Sequence, residues 1–311
     1  MIFLENDDQV IEFIYNLVKN NLYYCKKKLY LKKGIIWIDN KEEISAYLLV
    51  FISELPIYKK VGVVQISYTK YYNKTEYYIK KIIKKIKINN IKDDLLDLFI
   101  ISTKNKLVFN NGYLDFSSKK FYEHDDSIYT MIKIDRDFNT RINYEYVKHV
   151  KKILTDIFGG SNIDRVLTYF ARVISNCHDD NLDQDFYFRA CTLGGKSTLF
   201  ELFYNSLTDY VGSSMIQDKY KRLIFIYNYD YKFTRIRHNN SYRIFYISTY
   251  KLQKHNDINY IESNIMFLSD DNQDINITDE IIIKQNPDIL DKLVFTKEYN
   301  DALIHLLLEY T

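Results

Sequence analysis

Hydrophobic positions near the start of the chain recur at the spacing of amphipathic helices. Residues 1–30 carry apolar side chains three or four positions apart, which predicts one helix that faces a core. Residues 41–54 predict a second helix that begins near Asn40 and has Glu42 and Glu43 in its first turn. The apolar positions of the first helix are Val10, Ile11, Phe13, Ile14, Leu17 and Val18. The pattern therefore predicts a smaller, mainly helical N-terminal region.

Residues 77–90 predict a third helix with two chemically different faces. One face is apolar and consists of Ile79, Ile82, Ile83 and Ile86. The other face is basic and consists of Lys80, Lys81, Lys84, Lys85 and Lys87. A basic stripe of this kind can follow a nucleic-acid backbone, and the candidate contacts are then Lys80, Lys81, Lys84 and Lys85. A solvated face is the commoner explanation in a lysine-rich chain, and we favour it at this point.

The pattern changes at residues 106–138, where short β-rich runs alternate with turn residues. These runs are Leu107–Phe109, Tyr113–Phe116 and Tyr129–Ile134. Asn111-Gly112 is typical of a hairpin turn, because both residue types tolerate positive φ. Helical spacing returns over residues 143–176 and is interrupted at Gly159-Gly160-Ser161. We therefore divide the chain into an N-terminal helical region with a hairpin-like linker, 1–139, and a second domain, 140–311.

The second domain alternates strands with helices. Strands are predicted at residues 186–190, 222–228, 242–249 and 264–269, all in one central sheet. A helix is predicted at Thr198–Leu207, and the tail, 283–310, is also predicted to be helical. The run at 222–228 is continuously apolar, which is typical of a strand buried on both faces. Strands with crossovers between them predict an α/β fold with a layered sheet of the P-loop ATPase type.

Composition excludes several classes of protein. The formal net charge is +2 over 311 residues, so any nucleic-acid contact must be local. Tyr, Lys, Ile and Asn are abundant and Gly and Pro are scarce, as an AT-rich genome would produce. The three cysteines have no metal-ligand spacing, which favours a reducing compartment. The N-terminus is acidic within a few residues and no apolar run approaches the ~18 residues of a membrane span, so we expect neither secretion nor a membrane.

The candidate chemistry lies in "RACTLGGKSTLFELFYNSL", residues 189–207. Its centre resembles the phosphate-binding pattern G-x-x-x-x-G-K-[ST], with Ala190 in place of the first glycine. In such a loop, backbone N–H groups and a helix N-terminus surround phosphate, a lysine contacts the β- and γ-phosphates, and a hydroxyl binds Mg²⁺. The predicted cofactors are therefore ATP and Mg²⁺, with Ser197 as a metal ligand. The cofactor-binding residues are Gly194, Gly195, Lys196, Ser197 and Thr198.

From about residue 90 onward the chain resembles the superfamily 3 helicases, specifically the poxvirus-type primase-helicases, in their helicase half. The order of the segments is more specific than any single one. "FNNGYLDFSSKKFYEHDDSIYTMIKIDRDFN" is similar to the segment before the ATPase, "LTDYVG" to a Gly-Asp-Tyr-type segment, "KRLIFIYNYD" to the Walker B strand and "RIFYISTYKLQ" to the sensor strand. The resemblance implies a role in viral-type DNA replication, in the cytoplasm or nucleus of an infected host cell.

The chain departs from this family at the positions that support hydrolysis. Asn228 stands where the family has an acidic residue, and Asp230 follows two residues later. Ser248-Thr249-Tyr250 replaces the usual sensor asparagine, and "NYIESNIMF" contains no arginine where the family has its arginine finger. A missing arginine finger alone lowers the rate by ~10³–10⁵. Together with Ala190, these changes indicate a degenerate site.

Three functions follow from these observations. The first is an active ATP-driven DNA helicase. In this function Lys196 would bind phosphate, Ser197 and Asp230 would bind Mg²⁺, and Asp230 would also orient the attacking water. The catalytic positions would be Asn228 and Asp230. The second is a nucleotide-binding scaffold or regulator with weak or lost hydrolysis, which acts in a hexamer or with an active helicase paralogue. The third is an accessory protein that binds single-stranded or duplex DNA through the helix at 77–90. The altered positions favour the second.

Overall fold

The chain divides into two units in the computed structural model. The first unit contains Met1–Ser102 and Asp126–Met131, and the second contains Thr103–Asp125 and Ile132–Thr311. The structure describes residues 2–61, 64–67, 74–176, 185–190, 194–213, 221–227, 243–248, 258–263, 265–268, 281–284 and 296–311. Within these ranges, no helix combines the length and the apolar character that crossing a membrane requires.

The described residues of the first unit form four helices and two three-stranded sheets. The helices are α1 (Asp7–Val18), α2 (Lys41–Glu54), α3 (Thr75–Asn89) and α4 (Leu95–Thr103). One sheet has the order β1 (Ile2–Phe3), β5 (Ile57–Val61), β6 (Val64–Ser67). The other is antiparallel and contains β2 (Leu22–Cys25), β3 (Lys28–Lys33) and β4 (Ile36–Ile38).

The three helices predicted for this unit are confirmed, and α1 and α2 each begin at an asparagine cap. The Asn6 side chain accepts a hydrogen bond from Gln9 N, and the Asn40 side chain accepts from the N–H groups of Glu42 and Glu43. Such caps satisfy amide groups that have no partner inside the helix. The short strands were not predicted, because their hydrophobic patterns are too brief to separate from loops.

Hydrophobic faces of α1, α2 and α3 form most of the core of the first unit. A second cluster is rich in aromatic residues and contains Cys25, Tyr30, Trp37, Leu95 and Phe99. Residues 126–131 attach to this cluster: Trp37 N donates to Thr130 O at 2.8 Å, and Tyr129 stacks on Trp37. The predicted strand at Tyr129–Ile134 is therefore wrong. Isolated bridges pair Thr130 with Ile36 and Ile134 with Phe109, so the run is shared between the two units.

The second unit begins with an antiparallel sheet of β7 (Lys106–Val108), β8 (Tyr113–Asp115) and β9 (Lys120–Tyr122). The predicted hairpin is confirmed, with its turn at Asn111-Gly112. Two helices follow, α5 (Tyr144–Phe158) and α6 (Ile163–Ser175), and they meet at the predicted glycine break.

Five parallel strands form the central sheet of the second unit. Its spatial order is β11 (Val211–Gly212), β12 (Leu223–Tyr227), β13 (Arg243–Ser248), β10 (Asp185–Ala190), β14 (Ile258–Ser263). The strands predicted at 186–190, 222–228 and 242–249 are confirmed, and the fold class is α/β. Leu223–Ile226 is buried throughout, as the continuous apolar run predicted.

The predicted membership of the sheet is wrong at its last strand. Ile265–Leu268, β15, pairs in parallel with β16 (Ile281–Lys284) in a separate two-stranded sheet, and β14 takes the place expected for 264–269. The two neighbouring segments are both rich in apolar residues, and their local patterns do not say which one pairs with β10. The predicted helical tail at 283–310 is also partly wrong, because it starts within β16 and its helix, α8, covers Lys297–Glu309.

Helices α5, α6, α7 (Lys196–Leu207) and α8 pack with the sheet around one core. Phe245 lies at its centre, stacked on Phe186 with ring centroids 5.3 Å apart. Helix α8 is buried at every position from Tyr299 to Leu307, so neighbours surround it on all sides.

A buried arginine ties the hairpin region to this core. Arg222 is 4% exposed, and its guanidinium donates to the carbonyl oxygens of Thr103 at 2.9 Å, Lys106 at 2.8 Å and Ile174. Tyr210 lies beneath it, 4.6 Å from ring centroid to guanidinium carbon. These contacts are one reason why the second unit begins at Thr103, ahead of residue 140.

Candidate phosphate-binding loop

The glycine-rich loop leaves the sheet from an internal strand. Strand β10 lies between β13 and β14, and Arg189 pairs with Ser248 while Ala190 pairs with Ser263. The carboxyl ends of three neighbouring parallel strands therefore meet at this edge. Open α/β sheets bind ligands outside the carboxyl ends of their strands, where the strand order reverses. The topology thus places the loop where a ligand site is expected.

Helix α7 begins two residues earlier than predicted, at Lys196. Gly195 precedes it in the left-handed conformation, with φ 73° and ψ 13°, which favours glycine because it lacks a Cβ. The first hydrogen bond inside the helix joins Leu199 N to Gly195 O at 3.0 Å, so the earlier N–H groups point toward the loop. Among the described residues no side chain caps this helix, and its first turn has no acidic residue. The positive end of a helix dipole favours an anion.

The described side chains of the loop, residues 194–198, include a cation and an exposed hydroxyl. The Lys196 ammonium donates to Ala190 O at 3.3 Å, which holds it at the end of β10. Gly194 and Thr198 are buried, and the Ser197 side chain is exposed at the start of the helix. This donor set fits nucleotide phosphate, with Lys196 as the cation and the Ser197 hydroxyl as a ligand for Mg²⁺. ATP bound there would supply the transferable phosphoryl group.

Ala190, which stands in place of the first glycine of the motif, lies inside the strand that precedes the loop. It is the last residue of β10, is 2% exposed and belongs to the hydrophobic core of the second unit. Its methyl group is buried there with apolar neighbours. The loss of the first motif glycine is therefore accommodated inside the strand.

Two predicted catalytic positions, Asn228 and Asp230, lie outside the described residues, as do Thr249 and Tyr250. Strand β12 ends at Tyr227, which pairs with Ile247 of β13, and β13 in turn pairs with β10. Two strand spacings of about 4.8 Å therefore separate the ends of β12 and β10. Arg222 and Arg243 lie at the opposite, amino-terminal edge.

The candidate nucleic-acid contacts lie on α3 in the first unit. Lys80, Lys81 and Lys84 are exposed. Lys85 instead forms an ion pair with Glu12 on α1, and its ammonium lies 4.5 Å from the ring centroid of Tyr15. The hydrogen bond from Lys85 lowers the pKa of the Glu12 carboxyl. The structure thus divides the four predicted lysines into three exposed ones and one engaged within the fold.

Sequence reasoning missed a buried polar network beside the loop helix. The Arg136 guanidinium contacts the Asp301 carboxylate at 2.5 Å and donates to Ser206 O at 3.0 Å, and the Ser206 hydroxyl donates to Asn300 at 3.2 Å. Burial raises the pKa of Asp301, although Arg136 opposes the shift, and burial lowers the pKa of Arg136. The network joins the end of α7 to α8. Its only sequence signal is a set of polar residues in an otherwise apolar helix.

Comparisons with known proteins give weak likeness alone. No protein-family model and no curated protein match the sequence. Among solved structures, three apo structures of the NrS-1 C-terminal region are similar, with sequence identities of 11%, 10% and 11% and TM-scores of 0.47, 0.43 and 0.43. They cover 96% to 98% of this chain, which spans 67% to 69% of theirs. Likeness at this level assigns no function.

Proposed function

We propose that the loop at residues 194–198 binds the phosphate groups of ATP together with Mg²⁺, in a helicase-like protein of viral-type DNA replication. The observation that carries the proposal is the start of α7. A left-handed glycine, a helix end without a side-chain cap and a lysine returning to the preceding strand meet at the carboxyl edge of a parallel sheet. Each contributes positive potential or an N–H donor directed at the same small volume.

We further propose that hydrolysis is weak and that the protein acts as a scaffold or regulator. Asn228 is neutral and lacks the charge with which an acidic residue binds Mg²⁺ and its water shell. The segment before Ile265 has no arginine to stabilise charge on the transferring phosphoryl group, which costs ~10³–10⁵ in rate. Such a scaffold would work in a hexamer or beside an active helicase paralogue, in the cytoplasm or nucleus of an infected host cell.

A phosphate series tests the binding proposal. Calorimetric titration with adenosine, ADP and ATP, each with and without Mg²⁺, should show affinity that rises with phosphate number. Ser197→Ala should remove the Mg²⁺ dependence and leave metal-free ATP binding in place. Equal binding of adenosine and ATP would show that the loop recognises no phosphate and would refute the proposal.

An active DNA helicase is the second candidate function, and one observation favours it. The Ala190 methyl group is buried in the core of the second unit, so the first departure from the motif lies in the strand and outside residues 194–198. Asp230 follows the end of β12 by three residues and is the remaining candidate for orienting Mg²⁺ and water. ATP turnover of the usual 1–10³ s⁻¹, stimulated by single-stranded DNA and lost in Asp230→Ala, would establish this function. Negligible turnover would support the scaffold.

A further inference from the structure

The exposed face of α3 is a basic surface that the nucleotide site does not use. A helix turns about 100° per residue, so positions 77, 80, 81, 84, 87 and 88 share an arc of about 120°. We call this arc the α3 surface. It consists of Tyr77, Lys80, Lys81, Lys84, Lys87 and Ile88, all of which are exposed. The opposite face is buried and holds α3 on the first unit through Tyr78, Ile79, Ile82 and Ile86.

The lysines of the α3 surface repel one another in the free protein. Helix α3 contains five lysines and one acidic residue, Glu76. Lys80 and Lys84 are four positions apart, and Lys84 and Lys87 are three apart, so like charges face each other along the helix. Each such pair destabilises a helix by roughly 0.2–0.5 kcal/mol. A bound polyanion would relieve this repulsion.

Lys85 shows what a lysine with a structural role looks like in the same helix. It is half-buried, paired with Glu12 and placed over the Tyr15 ring. Lys80 and Lys84 are exposed, and within the described part of the chain neither forms a salt bridge. Their charges are therefore available to an external partner, while that of Lys85 is satisfied by the fold.

Apolar side chains among the lysines indicate which polyanion fits. Tyr77 is 41% exposed, and the Lys81 ammonium lies 5.4 Å from its ring centroid. Ile88 is 64% exposed at the other end of the surface. Single-stranded nucleic acid presents phosphates and unstacked bases together, and it binds grooves or faces that combine basic and aromatic residues. A duplex hides its base faces and would leave these apolar groups without a partner.

We infer that the α3 surface binds single-stranded nucleic acid, with Lys80, Lys81 and Lys84 at the phosphates and Tyr77 against a base. Lys87 lies at the edge of the contact, because its ammonium is 5.6 Å from the ring centroid of Tyr24. This role is independent of the nucleotide site in the second unit. It revises the residue set expected from sequence, because Lys85 leaves the set and Tyr77 enters it.

Fluorescence anisotropy with the full chain tests the inference, using labelled oligothymidylate and no ATP. Lys80→Gln/Lys84→Gln should weaken binding about tenfold or more at low salt and reduce the slope of log K against log salt by about 1.4. The matched control, Lys120→Gln/Lys152→Gln, changes the same net charge at two exposed lysines of the second unit and should bind like wild type. Lys85→Gln should also keep wild-type affinity.

Equal binding by wild type and Lys80→Gln/Lys84→Gln would overturn the inference, as would equal weakening by the control pair. Tyr77→Ala should weaken binding about fivefold or more with an unchanged salt slope, because stacking releases no counterions. A duplex of the same length that binds as tightly as the single strand, with no effect of Tyr77→Ala, would overturn the single-strand assignment.

Discussion

Helices α7 and α8 both begin with a lysine in the same unit, yet their first turns differ. At α7, Gly195 precedes Lys196 and the first turn carries no acidic residue. At α8, Thr296 precedes Lys297 and Glu298 supplies a carboxylate in the first turn. A carboxylate there stabilises the positive end of the helix. The start of α8 thus carries its own carboxylate, whereas the first turn of α7 carries none, and this difference is the basis of our proposal that α7 binds an external anion.

The two helices also differ in what holds them. Helix α8 is buried on all sides, and its Asp301 and Asn300 anchor the Arg136 side chain and the end of α7. Packing and this network therefore fix the end of α7 that is farther from the loop.

The largest expected effect comes from breaking this anchor. Asp301→Ala should lower the free energy of unfolding by about 3–5 kcal/mol, because it leaves the Arg136 charge buried without its partner. Urea denaturation followed by circular dichroism measures the loss. Asp137→Ala, which removes an exposed carboxylate nearby, should stay within about 0.5 kcal/mol of wild type.

Because burial shifts the pKa of both partners toward their neutral forms, desolvation opposes the ion pair. The double variant Arg136→Met/Asp301→Leu should therefore be more stable than Asp301→Ala. If the double variant is less stable than Asp301→Ala, the polar network stabilises the fold by more than the mutual neutralisation of its two charges.

A valine at Gly195 sharpens the comparison at the loop itself. Gly195→Val should cost about 1–2 kcal/mol of stability, because φ 73° is unfavourable for a residue with a Cβ. Gly34 has φ 63° with open space around its Cα, so Gly34→Val is a matched control in the first unit. Both variants should lose stability in thermal melts, but only Gly195→Val should lose ATP affinity. If Gly195→Val keeps its ATP affinity, phosphate binding does not require the left-handed conformation at Gly195.

The smallest expected effects come from exchanging the charge character of the two helix starts. Ser197→Asp gives α7 the first-turn carboxylate that α8 has, and it should raise stability by about 0.3–1 kcal/mol. The same change should abolish ATP binding, because the carboxylate occupies the anion position. Glu298→Gln should lower stability by a similar amount and leave ATP binding intact. If Ser197→Asp still binds ATP, the first turn of α7 is not the phosphate site.

Local sequence patterns were sufficient for elements whose cause is local. The helix over residues 41–54 follows from its apolar spacing and its Asn40 cap, and the helix over 77–90 follows from apolar spacing alone. The buried strand at 222–228 follows from its continuous apolar run. Pairing between distant segments left no such signal. The pattern did not distinguish 258–263 from 264–269 as the neighbour of β10, because both segments are rich in apolar residues.

The candidate site shows the same division. The motif suggested Gly195, Lys196 and Ser197 as candidates, because a phosphate loop is built from consecutive residues, and their role in binding stays a prediction. The place of Ala190 inside the core and the ion pair of Lys85 with Glu12, 73 residues apart, depend on packing that no local pattern contains. The buried Arg136–Asp301 pair joins residues 165 apart and was invisible for the same reason.

The central claim is that the start of α7, unlike the start of α8, binds nucleotide phosphate. Titration of Mg²⁺-ATP into Lys196→Ala and Lys297→Ala tests it most directly, because each variant removes the first lysine of one helix. The account predicts that Lys196→Ala loses measurable ATP affinity, that Lys297→Ala binds like wild type, and that the two melt within a few degrees of each other. Equal ATP affinity in Lys196→Ala and wild type would contradict it.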